Sequence, residues 1–367
     1  MEIIVILIII AAAAAAEAFL YSKTGGRKLS YTARLERQEV YEGDSVTLTE
    51  ELNNGKALPL PFVKTEIIAP DCIDFGIGAK SSKEDLCYIP SIFSLKGNER
   101  CTRTRQIKCT QRGEFEIGST SLYGGDLFGI GHFSLFTDNR EKLTVLPEPL
   151  SAEDFYPNSK MLYGDIQVRR FICEDPFLIS GAHEYSGREP MNTIFWNGTA
   201  RTGRLMALNK DFTTCSKVLI MLNFQKRDDI VAPDSSSICE ILIKAAAFAI
   251  EECVNIKSEF AMAVNLPEGE DNSSLAAKEG EAYRTELLRR LARLQIDCKC
   301  TLMNFMNALP LEEYTDLILI TPYLSRQTAD FLEERRKKGQ GVHVYAPKSD
   351  SDADFFVQIT RKGAREA

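Results

Sequence analysis

From Ile3 to Ala16 the chain is apolar without interruption, and after Glu17 the apolar character resumes as far as Tyr21. At 1.5 Å per residue this span is about 28 Å long as a helix, enough to cross a hydrocarbon core. The pattern then changes period. Between residues 29 and 148 short alternating runs such as "LSYTARL", "SVTLTEEL", "FVKTEII" and "KLTVLP" are separated by "YEGD", "NNGKALPLP" and "QRGE". Alternation punctuated by Gly, Asn and Pro predicts an antiparallel β-sandwich, immunoglobulin-like in kind. Residues 149–210 carry prolines at 149, 157, 176 and 190 and read as an irregular connector. From Lys217 buried-strand runs ("KVLIMLNF", "EFAMAVNL", "DLILITPY", "GVHVYAP") alternate with stretches of 3.6-residue period, the first opening at a Ser cap. Strands alternating with helices predict an α/β, Rossmann-like domain with a mainly parallel sheet. The expected class is thus α+β multidomain: a transmembrane helix over 1–22, a sandwich over 29–148, a connector over 149–210 and the α/β domain over 211–367.

A chain of 367 residues with 44% apolar and 26% charged residues is ordinary globular material, too long for one core. The net charge of −8, with no basic stripe interleaved with aromatics, argues against nucleic acid as a partner. The apolar span is followed by Lys23, Arg27, Lys28, Arg34 and Arg37 against one acid, Glu36. By the positive-inside rule this predicts a single-pass protein of the cell membrane with its bulk in the cytoplasm. A cleaved signal peptide competes, since Ala14–Ala16 resembles a cleavage site, but Met1–Glu2 supplies no basic leader. The ten cysteines lack CxxC spacing and read as buried thiols; in Cys298-Lys299-Cys300, a strand would turn both thiols to one face.

Candidate chemistry is sparse. His132, His183 and His343 are the only histidines, and neither HExxH, GxSxG nor GxxxxGK[ST] occurs. The glycines of "GGDLFGIG" lie between predicted strands and read as a turn. Neither a catalytic residue nor a cofactor is expected. In open α/β sheets ligands bind beyond the carboxyl ends of the strands, which points to Asn223, Phe224, Gln225 and the loop from Thr321.

The stretch "HEYSGREPMNTIFWNGTARTGRL", from His183 to Leu205, holds the only tryptophan. It resembles the signature of the bacterial and archaeal family called domain of unknown function 58. Glu184, Tyr185, Gly187, Pro190, Ile194, Trp196, Ala200, Arg201, Thr202, Gly203, Arg204 and Leu205 match that signature, while His183 replaces an arginine and Glu189 an aspartate. The resemblance extends to "EGDSVTLTEELNN", the Pro59–Pro61 turn and "QRGEFEIGSTSLYGGDLFG". It implies a von Willebrand factor A-like last domain and a MoxR-type AAA+ ATPase as partner. Relatives of that domain hold a divalent metal with Asp-x-Ser-x-Ser and a later Thr-Asp-Gly. Here Asn223-Phe224-Gln225-Lys226-Arg227 and Thr321-Pro322-Tyr323 stand at those places, so the metal site is expected to be degenerate and no metal is expected.

Physically, Glu189-Pro190 can open a short helix with Ile194 and Phe195 inward and Asn197-Gly198 at its close. Trp196 would then anchor the connector on the α/β domain, and Arg201 and Arg204 would pair with Glu184 or Glu189. The rival reading makes the same residues a docking surface, since Trp and Arg dominate interaction hot spots. The functional expectation is a membrane-anchored cytoplasmic scaffold or adaptor, not an enzyme. A hydrolase using the strand-end cleft and an exported surface protein are the alternatives.

Overall fold

The computed structural model describes residues 2–76, 80–81, 86–126, 129–151, 173–185, 194–213, 217–266, 276–349 and 356–358. The chain divides into two compact units, Met1–Glu148 with Leu288–Leu294, and Pro149–Leu287 with Gln295–Ala367.

In the first unit the apolar span forms helix α1 (Glu2–Thr24), long and apolar enough to cross a membrane. Its side chains from Ile3 to Ile10 are exposed, whereas Ala18 and Tyr21 are buried against the sheets that follow. Tyr21 Oη donates to Pro59 O at 2.7 Å. Lys56 Nζ donates to the carbonyls of Thr24 and Gly25, placing a cation at the negative end of the helix dipole.

Ten strands follow: β1 (Leu29–Leu35), β2 (Glu39–Tyr41), β3 (Ser45–Asn54), β4 (Leu60–Pro70), β5 (Ile73–Asp74), β6 (Lys80–Ser81), β7 (Leu86–Leu95), β8 (Arg100–Cys109), β9 (Gly113–Gly125) and β10 (His132–Leu146). They form two sheets, ordered β1-β3-β8-β5 and β2-β10-β9-β4-β7-β6. Pairing is antiparallel except for β2, which runs parallel to β10 and so departs from the wholly antiparallel expectation. The period of two sends Val46, Leu48 and Leu52 inward to meet Ile67, Ile89 and Leu122 of the other sheet.

The same parity carries Glu50 into this core, where it is fully buried. Its carboxylate accepts from Arg105 Nε at 3.1 Å, from Tyr31 Oη at 3.1 Å and from Ser91 Oγ at 3.2 Å. Strands of both sheets thus meet on one charge, whose pairing offsets the cost of burying it.

The second unit opens on a two-stranded ribbon. The connector is not irregular throughout: β11 (Cys173–Glu184) pairs antiparallel with β12 (Met206–Thr213), and helix α2 (Trp196–Thr202) lies between them. Proline content hid this ribbon. Next come β13 (Lys217–Leu222), the hairpin β14 (Gln225–Arg227) and β15 (Ile230–Pro233), α3 (Ser236–Asn255), β16 (Glu259–Val264), α4 (Glu281–Arg293), α5 (Leu302–Ala308), β17 (Asp316–Ile320), β18 (Tyr323–Leu324), α6 (Arg326–Lys337), β19 (Gly341–Ala346), β20 (Lys348–Ser349) and β21 (Phe356–Gln358). The sheet β16-β13-β17-β19-β21 is parallel throughout, so it needs crossover connections and apolar residues on both faces. Leu219, Met221, Leu317 and Val344 pack with Phe305 of α5 and Leu332 of α6. By alternation Phe260 points the other way, and its ring meets Tyr283 of α4 at 5.2 Å. Ser235 precedes α3 as expected but makes no side-chain capping bond, whereas Ser325 caps α6 through Thr328 N. Cys298 and Cys300 lie outside any strand, so the one-face expectation for that pair does not hold.

Candidate functional site

Two places suggested by the sequence lie in the second unit. The first is the carboxyl end of the parallel sheet. Asn223, directly after β13, and Thr321, directly after β17, are held by main-chain bonds from Asn223 N to Ile320 O and from Thr321 N to Tyr345 O. Their side chains meet, Asn223 Nδ2 donating to Thr321 Oγ1 at 3.1 Å. Asn265, directly after β16, donates from Nδ2 to Asn223 Oδ1 and to Cys300 O, both at 2.8 Å. Gln225 stands apart from this trio: its Nε2 donates to Arg227 O at 2.7 Å and its Oε1 accepts from Leu302 N at 2.6 Å. All four side chains are buried. Lys226 and Arg227 are exposed on the hairpin.

The arrangement is a closed, neutral network. Each amide and hydroxyl is committed to a partner within the fold, so desolvation is compensated without an ion. Hard cations take oxygen ligands, carboxylates above all; the Asn223 amide and the Thr321 hydroxyl are bonded to each other and to Asn265, so this trio is not arranged as a cation site. Among the described residues no group of three or more Asp, Glu, His or Cys could hold a metal. Asn265 was missed from the sequence, although it has the same signal as Asn223: a polar residue directly after an apolar parallel-strand run.

The second place is the signature segment, which spans the end of the β11–β12 ribbon. His183 pairs with Ala207 and Glu184 with Met206, while Tyr185 N donates to Leu205 O at 2.7 Å. Gly187, Glu189 and Pro190 lie outside the described residues, as do the side chain of Glu184 and any pair it makes. Ile194 is buried and bridges to Ala207, as its apolar character predicts.

The short helix is displaced from its expected position: it begins at Trp196, with Phe195 as N-cap, and ends at Gly203. Gly203 adopts φ +68°, the left-handed conformation that glycine reaches without strain. A Cβ on Gly198 would stand 2.3 Å from the Phe195 ring, so that position requires the ring's close approach. Thr199 Oγ1 donates to Phe195 O and accepts from Met206 N, both at 3.0 Å, tying the helix to β12. Glycines and threonines therefore explain why this stretch is built as it is.

Trp196 is 65% exposed, which overturns the expectation of a buried aromatic anchor. A seven-residue helix with no buried side chain has nothing to seat its tryptophan on. Arg201 and Arg204 are exposed, and so are Ala200 and Leu205. Cys72, Cys87, Cys101, Cys109, Cys239, Cys253, Cys298 and Cys300 are free thiols. Burial pushes the thiols of Cys72 and Cys109 up to about 11 and that of Cys253 to about 12, while a hydrogen bond to Asp71 does the same for Cys87, to about 11. Such thiols stay protonated and inert.

No family model matches the chain and no curated protein matches it. Among solved structures, the CARDB domain of the PF1109 protein from Pyrococcus furiosus is similar at 16% identity, covering 33% of this chain and 94% of its own, with a TM-score of 0.23. A cohesin module of a Clostridium perfringens family 33 glycoside hydrolase is similar at 7% identity over 32% of this chain and 98% of its own, with a TM-score of 0.23. Scores this low carry no argument about fold or function.

Proposed function

We propose that this chain is a membrane-anchored protein-interaction adaptor of the cytoplasmic face, and that the signature segment docks its partner. The exposure of Trp196 carries this reading. A large aromatic left in solvent, in a segment that also exposes Arg201, Arg204 and Leu205, has the composition of an interface hot spot, and its helix buries no side chain among the described residues. The partner named by the family resemblance is a MoxR-type AAA+ ATPase. The neutral, internally satisfied strand ends favour binding over a hydrolase at that cleft, because a hydrolase needs a nucleophile or a general base placed there.

Taken in chain order, the parallel strands lie 2-1-3-4-5 across the sheet, a doubly wound order that supports a Rossmann-like unit. The loss of acidic ligands at Asn223 and Thr321 supports a degenerate von Willebrand factor A-like version of it. Two facing sheets with a shared core support an immunoglobulin-like sandwich.

Free, protonated thiols and the basic residues after α1 fit a reducing, cytoplasmic location. Protease added to intact cells should leave the second unit whole; digestion there, or a mature N-terminus near Glu17, contradicts the orientation. A MoxR-type ATPase co-expressed with the full chain should co-purify from solubilised membranes with the unaltered protein and not with Trp196→Ala. Equal recovery with both would refute the docking role.

A further inference from the structure

We infer that the end of the sandwich beside α1 is itself a lipid-contact surface, seated at the headgroup–acyl boundary and receiving the acyl chain of a bilayer phospholipid in an open cleft. This rests on the reading of α1 as a membrane span. The depth follows from packing. Gly131, in the β9–β10 loop, lies so close to α1 that a Cβ there would stand 2.4 Å from Ala18 O, and a Cβ on Gly25 would stand 2.3 Å from the Phe133 ring. Glu17, beside Ala18, is the charged residue that interrupts the apolar run, and the next one, Lys23, lies about 7.5 Å along the helix axis from Ala18 on the aqueous side. The polar region on each side of the hydrocarbon core is about 5 to 8 Å thick. Whatever touches Ala18 is therefore at the boundary between headgroups and acyl chains.

The surface presented there suits that depth. Asp126 accepts from the N–H groups of Ile130 and Gly131, both at 2.9 Å, which fixes the backbone of those two residues, and Ile130 is 60% exposed. Next to it opens a cleft of about 740 Å³ whose lining includes Phe62, Tyr123, Gly125, His132 and Phe133. Phe62 and Tyr123 are 44% and 43% exposed. Sheet register makes them neighbours on one outer face, with Phe62 opposite Gly125, Tyr123 opposite Lys64, and Ile92, also exposed, on the far side of Lys64. Apolar side chains with one polar tip, grouped at the level of a membrane boundary and flanked by lysine, are what an interfacial belt consists of. Continuity with α1 selects lipid as the occupant, because the helix that carries this end of the sandwich also delivers it into the bilayer.

Brominated phospholipids provide the test, with the full chain reconstituted into phosphatidylcholine–phosphatidylglycerol vesicles and bromine near the top of the acyl chain. In a Trp196→Phe background a single tryptophan is placed by Ile130→Trp, Tyr123→Trp or Gln111→Trp; Gln111 is exposed just ahead of β9, at the end of the strand away from Tyr123. The emission of Ile130→Trp and Tyr123→Trp should be quenched several-fold more than that of Gln111→Trp. No quenching at Ile130, in protein that stays with the vesicles, overturns the inference and leaves the anchor intact. Quenching at Ile130 without quenching at Tyr123 overturns the lipid occupant of the cleft, and a blue-shifted, unquenched Tyr123→Trp would assign that cleft to protein. Equal quenching at all three positions overturns the oriented surface. Failure of the chain to stay with the vesicles overturns the anchor reading and this one together.

Discussion

The sandwich and the parallel sheet handle buried polarity in opposite ways. The sandwich takes a full charge into its centre, where Glu50 is held by Arg105, Tyr31 and Ser91. The parallel sheet places its fully buried polar side chains, the neutral Asn223, Asn265 and Thr321, where its strands end, with His343 half-buried along β19. The difference follows from construction. Two sheets meeting face to face can supply partners from three other strands to one carboxylate, while a parallel strand covered by helices has free polar directions only at its tip. Charge in the first unit is therefore structural, and the strand ends of the second are stabilised by amides rather than poised for ionic chemistry.

The sharpest way to break this contrast is to remove the charge. Glu50→Ala strands the Arg105 guanidinium in the core and should cost about 3 to 5 kcal/mol, read as a drop in the denaturant midpoint of the first unit. A loss below about 1 kcal/mol would mean that water reaches the pair. At the strand ends, Asn223→Ala removes the partner of both Thr321 and Asn265 and should cost about 1 to 3 kcal/mol, because neutral groups are left unpaired.

The two units should also differ in pH response. Burial, and then the Glu50 carboxylate, raises the Tyr31 pKa and keeps the phenol protonated. The unfolded chain therefore releases that proton first, and stability falls as pH rises above about 10, by up to about 1.4 kcal/mol per pH unit. Burial pushes the His343 imidazole below its usual range, against the pull of Asp316. There the unfolded chain takes up the proton first, so stability is lost as pH falls below about 6.5. Melts across pH should show the alkaline slope flattened by Tyr31→Phe and the acid slope flattened by His343→Gln; slopes unmoved by either change would contradict these assignments.

The legible parts of the fold were those where one period dominates. Alternation located most of the long sandwich strands, though not β7, and continuous apolar runs located four of the five parallel ones, though not β21. The β11–β12 ribbon was hidden because Pro176 and its neighbours break the pattern of a strand that nonetheless pairs. Glu50 was legible in principle: in "SVTLTEELNN" it shares parity with Val46, Leu48 and Leu52, but adjacent glutamates read as a solvated edge. Asn223 and Thr321 were found by the rule for strand ends, and Asn265 obeys the same rule on a strand to which it was not applied. Trp196 was misread because a lone tryptophan suggests an anchor, and whether a core exists beneath it is a tertiary fact.

The smallest effect expected on stability belongs to the residue with the largest expected effect on function. Trp196→Ala should leave the unfolding midpoint within about 0.5 kcal/mol of the parent, since exposed residues carry little packing energy. Melts of the full chain in detergent, run on the same preparations used for co-purification of the MoxR-type ATPase, test the docking role directly. An unchanged melt with the partner lost is the predicted result. A lowered midpoint, or a partner retained at parental level, would contradict it.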